Sequence, residues 1–220
     1  KYYNNLGVSS TYVGHPLVEN SLYKNKYSED NNYIGFFPGS RLNEVKKHIP
    51  IIKSVIDIIH KNNPEEKFII SCSGNIDKKI YEENFLKKDY VKIISNENIY
   101  ETISLCKVAL AASGTITLQI ALKQVPMCVF YKLSNITYLI AKFLVKTKYI
   151  SLVNIVLEKK VVREFIQNQA LPENIAYEIE RLINNKNYRK DMINNFDLLE
   201  KKLINDSSKI TIYELVESLL

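Results

Sequence analysis

From Tyr33 onward the chain alternates short apolar runs with longer stretches whose apolar residues recur at helical spacing. The runs at 33–37, 68–72, 91–94, 108–111 and 127–131 are apolar on successive residues, as strands buried on both faces are. Between them Ile49, Ile52, Val55, Ile56 and Ile59 repeat three and four residues apart, a weaker set surrounds Ile80 and Asn84, and a third joins Ile99, Ile103 and Cys106. These spacings predict helices. Parallel strands need a crossover, and a helix is the usual one, so the alternation predicts an α/β fold: a Rossmann-like parallel sheet with helices on both faces.

Pro50 lies inside the first helical pattern and either opens a new helix or kinks a continuous one. Beyond Tyr131 the residues Ile136, Leu139, Ile140, Phe143 and Leu144 form an apolar face bordered by Lys132, Lys142, Lys146 and Lys148. Such a face suits a membrane surface or packing on the sheet, and the pattern leaves both open. Pro172 opens a further helix through Ile175, Ile179, Leu182 and Ile183, and the remainder, to Leu215, Val216, Leu219 and Leu220, reads as C-terminal helices. The organisation expected is a polar, Tyr- and Asn-rich linker over 1–32, a Rossmann-like domain over 33–171, and a helical extension over 172–220.

The chain has 220 residues, and 30 basic against 24 acidic side chains give a net charge of +6. Only Arg41, Arg163, Arg181 and Arg189 are arginines, and no zinc-finger, RRM or helix-turn-helix signature occurs, so no nucleic-acid partner is expected. Cys72, Cys106 and Cys128 sit in apolar runs and predict buried thiols in a reducing compartment. The uncharged, largely apolar stretch 108–122 is too short and too polar to span a bilayer. The chain opens on Lys1 with no apolar leader, so it is expected to start inside a longer polypeptide.

Two loops carry candidate chemistry. Pro38-Gly39-Ser40-Arg41 follows the first strand and leads into a helix with Glu44 in its first turns. Gly39 permits a tight backbone approach, Ser40 can cap the helix, and Arg41 can hold a phosphate, although Arg41 can equally pair with Glu44. Ala112-Ser113-Gly114-Thr115 follows the fourth strand, and Gln119 lies within the next helix. Both loops fall at the carboxyl edge of the sheet, where open α/β sheets bind ligands, so together they predict a diphosphate site with Gln119 in reach of a ribose hydroxyl. The pattern has no P-loop, no G-x-G-x-x-G and no G-x-S-x-G. His15, His48 and His60 are isolated, and no metal is expected.

The order of Thr11-Tyr12-Val13-Gly14-His15-Pro16-Leu17, Phe37-Pro38-Gly39-Ser40-Arg41 with Glu44, Ala112-Ser113-Gly114-Thr115, and Lys146-Thr147-Lys148-Tyr149-Ile150-Ser151-Leu152-Val153-Asn154 resembles the C-terminal portion of lipid-A-disaccharide synthases. The resemblance implies half of a GT-B fold and an inverting, metal-independent hexosyltransferase of lipid A biosynthesis. That enzyme moves 2,3-diacylglucosamine from its UDP donor to 2,3-diacylglucosamine 1-phosphate. It implies that Gly39, Ser40, Arg41, Ser113, Gly114 and Thr115 hold the diphosphate, Gln119 the ribose and Asn154 the donor-sugar side, with His15 at the hinge between halves. Gln119 stands where the family usually has Glu, and Val153 where it has Pro.

The resemblance further implies work at the cytoplasmic face of the inner membrane, no cofactor, and a general base in an N-terminal half, so that this chain alone is expected to be inactive. Asp30, Asp57 and Glu97 read as surface carboxylates. A homodimer or a separate N-terminal half are the partners envisaged. Another GT-B UDP-sugar transferase and a non-catalytic nucleotide-binding remnant stay open as alternatives.

Overall fold

The computed structural model describes residues 5–8, 15–18, 31–85, 88–132 and 148–204. The apolar face of Ile136, Leu139, Ile140, Phe143 and Leu144 lies outside them, as do Thr11 to Gly14, Asp30, and Leu215 to Leu220 of the expected tail.

Six parallel strands form one sheet: β1 (Tyr33–Phe37), β2 (Lys67–Cys72), β3 (Val91–Ser95), β4 (Cys106–Ala112), β5 (Met127–Tyr131) and β6 (Arg163–Ile166), in the order β3-β2-β1-β4-β5-β6. The helices are α1 (Leu42–Asn62), α2 (Lys79–Phe85), α3 (Ile99–Ser104), α4 (Ile116–Leu122), α5 (Leu152–Leu157), α6 (Pro172–Asn184) and α7 (Lys186–Leu203). The central strands β1 and β4 are buried along nearly their whole length, which is why they read as continuous apolar runs. At their junction a Cβ on Gly35 would stand 2.4 Å from Cys106 Sγ, so only glycine lets these two strands come together there.

Helix α1 runs through Pro50 without interruption. The cost of the missing N–H is moderated because Pro50 and Lys46, whose carbonyl loses its partner, are both exposed to water. Its buried face is Val45, His48, Ile49, Ile52, Val55, Ile56 and Ile59, and it packs against α6. Helix α6 has Pro172 in its first turn, as expected, and also covers β4 and β5. Helix α7, opened by the Asn185 side chain accepting the Tyr188 N–H at 2.9 Å, reaches α4 and α5.

Two readings are corrected. Cys106 belongs to the start of β4 rather than to the helix before it, which ends at Ser104. Strand β6 was not anticipated, because it is short and at the sheet edge, with Arg163 and Glu164 at its start. The polar residues are there for a reason: Glu178, fully buried on α6, is met by Arg163 Nη1 at 3.1 Å, Arg181 Nη1 at 3.6 Å and the Tyr188 hydroxyl at 2.7 Å, joining β6, α6 and α7. The three cysteines are buried free thiols, and burial pushes Cys106 up to about 12.

Candidate functional site

The strand order reverses between β1 and β4, and the loops that leave the carboxyl ends of these two strands are the two singled out in the sequence. Between them lies a cleft of about 320 Å³ lined by Pro38, Gly39, Ser40, Arg41, Glu44, Ser113, Gly114, Thr115 and Gln119. Ser71 and Ser73, at the end of β2, complete its wall and were not anticipated.

In the first loop Gly39 has φ +106, a conformation that side chains other than glycine's rarely take, and a Cβ there would come within 3.2 Å of Glu44 Oε2. Ser40 does not cap α1. The cap position is Arg41, whose side chain makes no capping bond, and Ser40 instead offers its carbonyl to Asn75 Nδ2 at 3.3 Å. The Arg41 guanidinium is largely exposed and donates through Nη1 to Glu44 Oε1 at 2.9 Å, so the ion pair and the place in the cleft coexist. That bond and the carboxylate's charge raise the Arg41 pKa further above its ordinary value.

Behind the loop the buried His48 bridges two elements. Its Nδ1 lies 2.7 Å from the Pro38 carbonyl and its Nε2 accepts the Lys132 N–H at 3.2 Å, while its ring packs on Phe130 and Tyr131. Donation to one side and acceptance from the other require the neutral Nδ1–H tautomer, and burial lowers the His48 pKa.

In the second loop Gly114 also has a positive φ, and the Thr117 hydroxyl donates to the Gly114 carbonyl at 2.8 Å. Ser113 Oγ donates to the Ile150 carbonyl at 2.6 Å, which ties this loop to the segment before α5. The N-terminus of α4 follows at once, with Thr115 at its cap position. The start of α1, a 21-residue helix whose positive dipole end borders the cleft beside Arg41, suits the site to an anion. Gln119 reaches the wall and is held by a bond from its Nε2 to the Tyr100 hydroxyl at 3.1 Å.

Seven of the eight candidate residues are therefore assembled around one cleft, and Asn154 is not among them. Its side chain is fully buried and accepts the N–H groups of Val161 at 2.8 Å and Val162 at 3.0 Å. It also donates to the Val162 carbonyl at 2.8 Å and to Glu164 Oε1 at 2.9 Å. With every polar atom engaged inside the chain, Asn154 fixes the turn between α5 and β6 and has nothing left for a sugar. Val153 is buried as well. His15 donates its N–H to the Leu203 carbonyl at 3.1 Å, at the end of α7. Asp57 and Glu97 are exposed, away from the cleft lining.

A parallel sheet in this order, with a glycine-bearing cleft at its reversal point, defines a Rossmann-like α/β domain of the fold found in GT-B glycosyltransferases. The solved structures agree on the fold. Anabaena HepE in complex with UDP and glucose matches 96% of this chain and 56% of its own with a TM-score of 0.58 at 14% identity. The spinosyn rhamnosyltransferase SpnG matches 96% and 50% with a TM-score of 0.56 at 11% identity. The family model for lipid-A-disaccharide synthetase matches residues 1–214, and the chain belongs to that family. The lipid-A-disaccharide synthase of Acinetobacter baylyi is 34% identical over 94% of this chain and 57% of its own length. That of Coxiella burnetii is 33% identical over 100% and 60%. The chain thus spans somewhat over half the length of the curated relatives it matches.

Proposed function

We propose that this chain is the donor-binding portion of a lipid-A-disaccharide synthase. It holds the UDP part of UDP-2,3-diacylglucosamine while the diacylglucosamine passes to 2,3-diacylglucosamine 1-phosphate at the cytoplasmic face of the inner membrane. The observation that carries this reading is the convergence of Gly39, Arg41, Ser113, Gly114 and Gln119 on one cleft at the reversal point of the sheet, within a chain of this family.

Breaking the bond between sugar and UDP leaves charge on the departing diphosphate. Arg41 and the start of α1 supply positive potential held ready for that charge, which is where preorganised electrostatics lowers a barrier. Small residues at 113–115 let the backbone approach the phosphates, and Gln119, steadied by Tyr100, meets the ribose. Deprotonating the acceptor hydroxyl needs a base. Among the described residues lining the cleft the one carboxylate is Glu44, already engaged by Arg41 and Tyr131, so we assign the base and the acceptor site to the further length that the relatives carry.

Titration of the purified chain with UDP, against ADP and GDP, tests the reading. Saturable, UDP-selective binding with amide shifts at Ser40, Arg41, Ser113 and Gly114 is expected. Arg41→Ala should weaken binding about tenfold or more, the range of a lost charge-assisted hydrogen bond. A folded chain that takes up no UDP at millimolar concentration would refute the assignment. Preference for UDP-N-acetylglucosamine over the diacylated donor in the assembled enzyme would replace it with a different UDP-sugar transferase.

A further inference from the structure

Glu44 presents a puzzle in a cleft built for an anion. It lines the site yet carries a negative charge, which repels a diphosphate at short range. Its surroundings resolve the puzzle. Oε1 accepts from Arg41 Nη1 at 2.9 Å and from the Tyr131 hydroxyl at 2.7 Å, and the absent side chain of Gly39 leaves room for Oε2. The Glu44 side chain is only 15% exposed against 79% for Arg41, so the carboxylate is the fixed member of the pair and the guanidinium the free one. Tyr131 is the last residue of β5, and its ring packs against the buried His48, so the hydroxyl that meets Glu44 belongs to the rigid sheet.

We propose that Glu44, held by the Tyr131 hydroxyl, is a positioning residue that orients Arg41 for the leaving diphosphate. This rests on the donor-site reading above. The pair engages one edge of the guanidinium and leaves the rest of its fork for phosphate oxygens. An unrestrained arginine at such an exposed position would have to be ordered at the moment of binding, and the carboxylate does that ordering beforehand. Gly39 acquires a second purpose, since any Cβ there would displace the carboxylate. The alternative is that Glu44 is only a first-turn acid complementing the start of α1. The two predict opposite signs: removing an incidental negative charge beside a diphosphate tightens binding, whereas removing an orienting group weakens it.

The test is calorimetric UDP titration of the full chain as Glu44→Ala, Glu44→Gln, Tyr131→Phe, Arg41→Ala and the Glu44→Ala/Arg41→Ala double variant. Circular dichroism and melting are recorded for each. Glu44→Ala is expected to weaken UDP binding about five- to tenfold and Tyr131→Phe about threefold, in the range for contacting residues. Glu44→Gln, whose amide oxygen can still accept both bonds, should lose less. In the Arg41→Ala background the Glu44→Ala effect should vanish, which a merely structural role would not produce. Tighter UDP binding by Glu44→Ala, or an equal loss with and without Arg41, overturns the proposal while the donor site stands. Tyr131→Phe keeps the ring packing, and so tests the network should Glu44→Ala fold poorly; unchanged affinity in that folded variant also overturns it. If the unsubstituted folded chain takes up no UDP, the donor site itself is refuted and this role falls with it.

Discussion

His48 shows how a single side chain can make the cleft depend on pH. Its neutral ring donates to the Pro38 carbonyl and accepts from the Lys132 N–H, so a proton on Nε2 would set two donors against each other in a buried place. Burial lowers its folded pKa, opposed by the Pro38 carbonyl and the charge of Glu44. In the unfolded chain a histidine titrates near 6.5. Between the lowered folded value and about 6.5 the unfolded state binds more protons, so stability rises with pH across that interval. The contribution is complete above about 6.5 and is lost as pH falls through the folded value. Denaturant unfolding at pH 5, 6 and 7 should show stability falling toward pH 5, with a shallower fall in His48→Gln. An unchanged slope in that variant would assign the dependence to other groups.

The segment α5–β6 is where sequence and structure part. Asn154 was assigned to the sugar side from its place in a recognisable run, and motif position cannot distinguish a ligand contact from a side chain that braces the loop beneath it. The structure assigns it the bracing role, with two backbone N–H groups and one carbonyl as partners. Asn154→Ala leaves those groups unmatched and should cost about 2–4 kcal/mol of unfolding free energy. Chemical denaturation measures this, and a loss under about 0.5 kcal/mol would show water taking over the bonds. Legibility follows the same physics elsewhere. Strands β1, β2, β4 and β5 were readable because burial on both faces writes a continuous apolar run, and Gly39 with Gly114 because backbone conformation demanded them. Strand β6 was not, because Arg163 and Glu164 look like loop until Glu178 and the 150–154 backbone are placed beside them. The sequence reads Ser71 and Tyr131 only as strand residues and gives Ser73 no role, since nothing in the local pattern reports that Ser71 and Ser73 border a cleft or that Tyr131 meets Glu44 at its wall.

Across the whole molecule the four arginines divide instructively. Arg163 and Arg181 converge on Glu178, Arg181 lies 3.9 Å from the Tyr188 ring, and Arg189 donates to the Leu182 carbonyl at 2.9 Å. Of the four only Arg41 stands at the cleft, and the other 26 of the 30 basic side chains are lysines, strongly hydrated point charges that attract an anionic surface diffusely. Such attraction alone would vanish with salt, because exposed charges are screened beyond about 8 Å at physiological ionic strength. Among the described residues no helix is long and apolar enough to cross a bilayer. The sequence nevertheless carries the apolar set Leu139, Ile140 and Phe143 between lysines, outside the described residues, and the reaction proposed above, whose substrates are acylated, would call for contact with a membrane surface. If that face enters the interface, binding to vesicles rich in phosphatidylglycerol should persist in part at high salt. The Leu139→Ser/Phe143→Ser variant should lose the salt-resistant part while its circular dichroism stays unchanged. Loss of the fold instead would place those side chains in the core, and complete release of the unsubstituted chain by salt would leave the lysines as its only hold on the membrane.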